Sequence, residues 1–133
     1  MSDDLRAAAT AARLNAYAPY SGFLVGAALC CKSGAVLTGG NVENISLGLT
    51  ICAERSCVAK AISLGDRTFE HLTIVADTDE PVVPCGGCRQ VLAEFAPNLA
   101  ITSWTLTGKK QDFSLADLLP IPKQGILQVP RGT

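Results

Sequence analysis

One histidine, His71, is all that this sequence holds. Any metal centre here must therefore draw on other ligands. The chain also lacks a basic stretch. Its 11 lysines and arginines are scattered and the formal net charge is −1, so there is no electrostatic footprint for a nucleic-acid backbone. A small, weakly charged partner is expected instead of a nucleic-acid polymer. No apolar run reaches the ~20 residues that a membrane-spanning helix needs. The opening MSDDLRAAATAARL is acidic and then amphipathic, not basic and then apolar as in a secretory leader. Repeats, linkers and low-complexity tracts are missing as well. The expectation is one domain over residues 1–133, in the cytoplasm, where disulfides are rare.

What is present fits a folded protein. Of the 133 residues 48% are apolar, and a chain of this length can bury roughly two-thirds of its unfolded surface. In a reducing compartment the six cysteines read as ligands, nucleophiles or small core residues before bridges. The pattern predicts a first helix from about Asp3 to Tyr17, with Leu5, Ala8, Ala9, Ala12 and Ala16 at helical spacing. YAPYSG (17–22) is a turn cluster. Strands are expected at 23–32 and 35–43, joined as a hairpin across Ser33-Gly34. A second helix over 50–64 ends at Gly65, a β-rich run covers 71–77, and a third helix covers 86–95. A strand at 99–106, a turn at Lys109-Lys110-Gln111 and a short helix at 114–119 follow. No element is expected in the tail after Leu119. This alternation predicts an α/β fold, a three-layer α/β/α arrangement with helices on both faces of a mixed, about five-stranded sheet.

Two short segments carry the chemistry. In LTICAERSC (49–57), Cys52 and Glu54 stand together at a helix start. In VPCGGCRQV (83–91), Cys85 and Cys88 form a C-x-x-C pair at another. Such close thiols can grip a metal ion or form a redox disulfide. Free N–H groups at a helix N-terminus favour a thiolate. If the two helices lie side by side on one sheet, three thiolates can converge. Three thiolates leave one position of a tetrahedral Zn²⁺ open for water, as in catalytic sites. Zinc brings the pKa of that water to about 7. Glu54 is the carboxylate available to move its protons. Residues two apart on a regular helix point roughly opposite ways, so Cys52 must sit at the very start of the helix to share a site with Glu54. The remaining cysteines, Cys30, Cys31 and Cys57, are expected in the core or on the surface, and His71 is expected to be structural.

Together the two segments reproduce the pattern of zinc deaminases: His or Cys, one residue, Glu, then Pro-Cys-x-x-Cys. From about residue 5 to 120 the chain resembles the small cytidine deaminases of the all-cysteine, homotetrameric kind, through PYSGFLVGAAL, TGGNVEN, GLTICAER, PCGGCRQVLAEFAP and ADLLP. The resemblance implies that Cys52, Cys85 and Cys88 bind one zinc per chain and that Glu54 shuttles the proton. It implies that Asn41 and Glu43 hydrogen-bond the ribose and that Phe23 packs against the nucleoside. The backbone around Ala53 and Pro84 would hold the base. Arg55 would lie beside the thiolates and offset their charge. The implied reaction is hydrolytic deamination of cytidine and deoxycytidine to uridine and deoxyuridine with release of ammonia, a step of pyrimidine salvage. Two positions depart from the family pattern: Lys123 stands where many members have an aromatic residue, and Leu47 where many have tyrosine. The alternatives are a deaminase of a modified or antibiotic cytosine nucleoside, and a zinc-stabilised binding protein without activity.

Overall fold

The structure is a computed structural model, and it describes residues 2–123. Five strands form one sheet in the order β2-β1-β3-β4-β5, with β1 at Val25–Cys31, β2 at Val36–Gly40, β3 at Phe69–Ala76, β4 at Ala100–Thr105 and β5 at Lys110–Ser114. The central β1 pairs antiparallel with β2 and β3, β3 and β4 run parallel, and β5 returns antiparallel to β4. The mixed sheet is thus as expected. The strand β5 is a correction: the sequence pattern assigns its residues to a turn and the start of a short helix. The turn falls earlier, at 106–109, where Gly108 takes φ 103°. Polar Lys110, Gln111 and Asp112 hide a strand at the sheet edge, where one side of the ladder faces solvent and charged residues are favoured.

Helices cover both faces. The helix α1 (Ser2–Arg13) places Leu5 and Ala9 against Ala28, Cys30, Val75 and Trp104. On the other face α2 (Ala53–Ser63), α3 (Gly86–Phe95) and α4 (Leu115–Leu118) pack on Ala27, Leu29, Leu72, Ile74 and Ile101. A 3₁₀ turn, Leu47–Leu49, precedes α2. Adjacent Cys30 and Cys31 face opposite layers, as strand alternation requires, and Cys57 is buried on α2 with its thiol directed at Ala27 O. Gly65 ends α2 in the left-handed conformation (φ 86°). Its N–H meets Ile62 O and the next N–H, of Asp66, meets Ala61 O, which satisfies the last carbonyls of the helix.

Several boundaries are shorter than the periodicity predicts. The first helix stops at Arg13, and residues 14–16 tighten into three-residue turns. Tyr17 then runs beside Val42. The second strand stops at Gly40, and Asn41 turns its amide inward. The tail is irregular over 119–123, as expected; its continuation, 124–133, lies outside the described residues.

The direction of the parallel strands decides where the helices begin. Because β2, β3 and β4 run the same way, the connections leaving β2 and β3 both emerge at one edge of the sheet. Both lead into helices on the same face, so α2 and α3 start side by side there. This is the usual place for a site in such sheets.

The layers close tightly over β1 and β2. A methyl group on Gly26 would lie 2.0 Å from Ala9 O and 2.7 Å from Arg13 N, and one on Gly39 would lie 2.8 Å from Ser56 Cβ. Gly26→Ala must lift α1 off the sheet, and the expected loss of stability is about 3 kcal/mol, at the upper end of overpacking effects. Urea denaturation of the two proteins checks this.

Candidate active site

Cys52 is the N-cap of α2, with extended backbone angles (φ −72°, ψ 156°), and Cys85 is the N-cap of α3 (φ −65°, ψ 166°). Neither is yet helical, so each thiol is free to turn across its helix end. Cys88 follows in the first turn of α3 and is fully buried. The three sulfurs lie within 4.8 Å of one another, with Cys52 to Cys85 at 3.9 Å and Cys85 to Cys88 at 3.3 Å. Tetrahedral zinc with sulfur at its usual bond length places two thiolates about 3.8 Å apart. The residues therefore fit a zinc ion. Among the described residues no fourth His, Cys, Asp or Glu joins the group. His71 is at the opposite edge of the sheet, where its ring meets Thr102 Oγ1 at 2.9 Å.

The placement of Cys52 resolves the problem of two residues two apart on a helix. With Cys52 outside the helix and Glu54 second within it, the regular 100° rotation does not separate them. Glu54 is 6% exposed, and Cys88 and the Cys52 thiolate are its neighbours. Burial, reinforced by that thiolate, pushes its carboxyl up to about 7. A cation held by the sulfurs would pull it down again. A buried carboxyl that titrates close to neutrality is suited to both accepting and releasing a proton.

Charge at the cluster is shared unevenly. Hydrogen bonding from Cys88 lowers the Cys52 thiol to about 5, with Cys85 and Arg55 adding to it, whereas Cys88 is raised by the same hydrogen bond and by burial. Arg55, in the first turn of α2, donates from Nη2 to Thr50 O at 2.8 Å. Burial works against its charge, but the sulfur cluster, the Cys52 thiolate first, outweighs burial and holds it firmly protonated. Arg55 Nε is buried with no partner among the described residues.

Three of the other residues singled out from the sequence, Asn41, Glu43 and Phe23, gather around one loop. Asn41 is 8% exposed; its Oδ1 accepts from Val25 N and its Nδ2 donates to Phe23 O, both at 2.8 Å. Glu43 Oε1 accepts from Tyr20 N and Ser21 N, and Oε2 accepts from the Ser21 hydroxyl. These bonds, the hydroxyl's first, hold its carboxyl below the usual range. Ser21 Oγ also accepts from Phe23 N at 3.0 Å. Phe23 stands 42% exposed beside them. Ala53 is fully buried at the first turn of α2, and Pro84, also buried, precedes Cys85. Sequence reasoning does not find Ser21 or Arg89, which donates from Nε to Pro84 O. Ser21 lies in a turn cluster and Arg89 reads as an ordinary helix cation, so neither carries a periodic or motif signal.

Known proteins match both the segments and the geometry. Residues 1–103 match the family model described as the cytidine and deoxycytidylate deaminase zinc-binding region. A cytidine deaminase of Halalkalibacterium halodurans is 50% identical over 110 residues, covering 82% of this chain and 83% of that one. The structure of cytidine deaminase from Burkholderia pseudomallei superposes with a TM-score of 0.90 at 44% identity, over 92% of this chain and 99% of that one. That from Mycobacterium tuberculosis gives 0.79 at 42% identity, over 91% and 95%. The chain belongs to the cytidine and deoxycytidylate deaminase family.

Proposed function

We propose that this chain is a zinc-dependent enzyme that hydrolyses cytidine and deoxycytidine to uridine and deoxyuridine with release of ammonia. The observation that carries the reading is the buried Glu54 carboxyl at the three-thiol cluster. A purely structural metal site needs no proton shuttle.

Cys52, Cys85 and Cys88 would hold one zinc ion, which when bound supplies an acidified water as the nucleophile. Glu54 accepts a proton as that nucleophile attacks C4 of the base. It gives that proton to N3, then takes the second one from the hydroxyl now on C4 and passes it to the departing amine, so that the carboxylate ends as it began. Arg55 and the N-termini of α2 and α3 offset the excess negative charge of three thiolates. Backbone at Ala53 and Pro84 would hold the base, and exposed Phe23 would pack on the nucleoside.

A carboxylate has about four acceptor sites, and Glu43 spends three on the Tyr20–Ser21 segment. The Asn41 amide spends one N–H and one acceptor site on Phe23 and Val25. One acceptor site on Glu43 and, on Asn41, one N–H and one acceptor site remain; a sugar hydroxyl that donates to Glu43 and accepts from that single N–H is held twice, and a second hydroxyl can be held only by donating. A phosphate beside Glu43 would be repelled, which favours a nucleoside over a nucleotide.

The physiological setting we propose is pyrimidine salvage in the cytoplasm, by one catalytic domain spanning residues 1–133 that acts on no nucleic-acid polymer. Among the described residues no helix is long and apolar enough to cross a membrane. A homotetramer with sites near subunit contacts is supported by the apolar loop before α2, where Ile45 is 81%, Leu47 72% and Leu49 68% exposed.

Two outcomes are expected. Glu54→Gln keeps one zinc per chain by elemental analysis, while cytidine turnover falls by at least about 10³-fold; equal turnover in the two proteins would defeat the mechanism. With a single spare N–H, one sugar hydroxyl dominates: removing it lowers kcat/KM by about 10²-fold or more, and removing the other changes it by less than about fivefold. Steady-state comparison of cytidine with its 2′-deoxy and 3′-deoxy analogues decides this.

A further inference from the structure

Arg89 and Gln90 directly follow Cys88 and take no part in the chemistry above. Their side chains nevertheless leave α3, reaching across to the loop before it and to the chain that follows β5. Arg89 Nε donates to Pro84 O at 2.8 Å and Nη1 donates to Leu118 O at 3.0 Å. The Gln90 amide pairs with the Lys123 backbone in both directions: Nε2 donates to the Lys123 carbonyl at 3.1 Å, and Oε1 accepts from the Lys123 N–H at 3.0 Å.

The two contacts differ in what they hold. Residues 77–85 form an irregular connection between β3 and α3, and it delivers Cys85, the exposed member of the thiol cluster. Pro84 has no N–H, so its carbonyl is its one backbone hydrogen-bonding group, and Pro84 is buried. Arg89 meets that carbonyl with its side chain and Cys85 O with its own backbone N–H at 3.0 Å. The second arm of the guanidinium ties the same point to the end of α4. Without Arg89 the buried Pro84 carbonyl loses its partner, and the loop must shift to hydrate it. Such a shift moves Cys85 first. Gln90, by contrast, fastens only the segment around Lys123.

We infer that Arg89 is a positioning residue for the metal centre: it bolts the Pro84–Cys85 loop to α4 and so keeps the Cys85 thiolate at the spacing that zinc requires. This rests on the zinc reading given under Proposed function. A lysine keeps the charge but loses the planar fork that spans two carbonyls. Glutamine keeps hydrogen-bonding capacity at shorter reach.

The test uses zinc-loaded wild type, Arg89→Lys, Arg89→Gln and Gln90→Leu. Zinc transfer to a chromogenic chelator is followed in native buffer well below each protein's Tm. Both Arg89 variants are expected to release zinc about 10- to 100-fold faster, the range for groups that orient metal ligands. Gln90→Leu is expected to release it at the wild-type rate. Release from the Arg89 variants within twofold of wild type overturns the inference. Equally fast release from Gln90→Leu also overturns it, because the tail clamp would then carry the effect. Failure of both Arg89 variants to fold assigns Arg89 to general stability and overturns it too. A wild type that binds no zinc is a separate outcome, which removes the zinc reading and the inference together.

Discussion

Two thiolates 3.9 Å apart, as Cys52 and Cys85 would be, repel by about 4 kcal/mol at an effective dielectric constant of 20. A third thiolate adds two more such pairs. The cluster is therefore tenable only where positive charge is concentrated, and much of the fold serves that need. Parallel β2, β3 and β4 send α2 and α3 off the same edge, so two positive helix ends meet at the sulfurs. Arg55 adds a full charge from the first turn of α2. A divalent cation would complete the balance, and that requirement supports reading the cluster as a metal centre instead of three core cysteines.

The glycines of β1 and β2 follow from the same geometry. Gly39 lets α2 come down on the sheet, and Gly26 and Gly40 let α1 and the chain after it close on the opposite face. With both layers tight, Glu54 is enclosed beside the sulfurs, and enclosure brings its carboxyl toward neutrality. The side proposed for the substrate is built differently. Asn41, Glu43 and Ser21 make a hydrogen-bonded rim around Phe23, and most of their polar capacity goes into holding that loop. A rim whose spare capacity is one donor and two acceptors would recognise a sugar by what it leaves free.

Much of the site is legible in the chain because its signals are local. Cys52 with Glu54, and Cys85 with Cys88, declare themselves by spacing within a few residues. The third helix, 86–95, matches residue for residue, because Cys85 caps it and Ala96 leaves helical geometry. Elements at the sheet edge and those bent by packing are harder to read. The fifth strand hides in Lys110-Gln111-Asp112 because an edge strand need not alternate. The first helix ends early because Ala16 must pass Gly40 closely, with its Cα 2.9 Å from where a Gly40 Cβ would stand, a contact between residues distant in sequence.

Residue type and short-range spacing were enough to single out the three cysteines, the glutamate beside them and the layered α/β class. Tertiary packing settled that Cys52 lies outside α2, so that its sulfur and the Glu54 carboxyl are neighbours. It also decided that Asn41 and Glu43 spend most of their hydrogen bonds on the Phe23 loop, and that Arg89 spans from Pro84 to Leu118. Those facts depend on which carbonyls and amides strand order and helix packing bring within hydrogen-bonding distance, and no local pattern in the chain encodes that proximity.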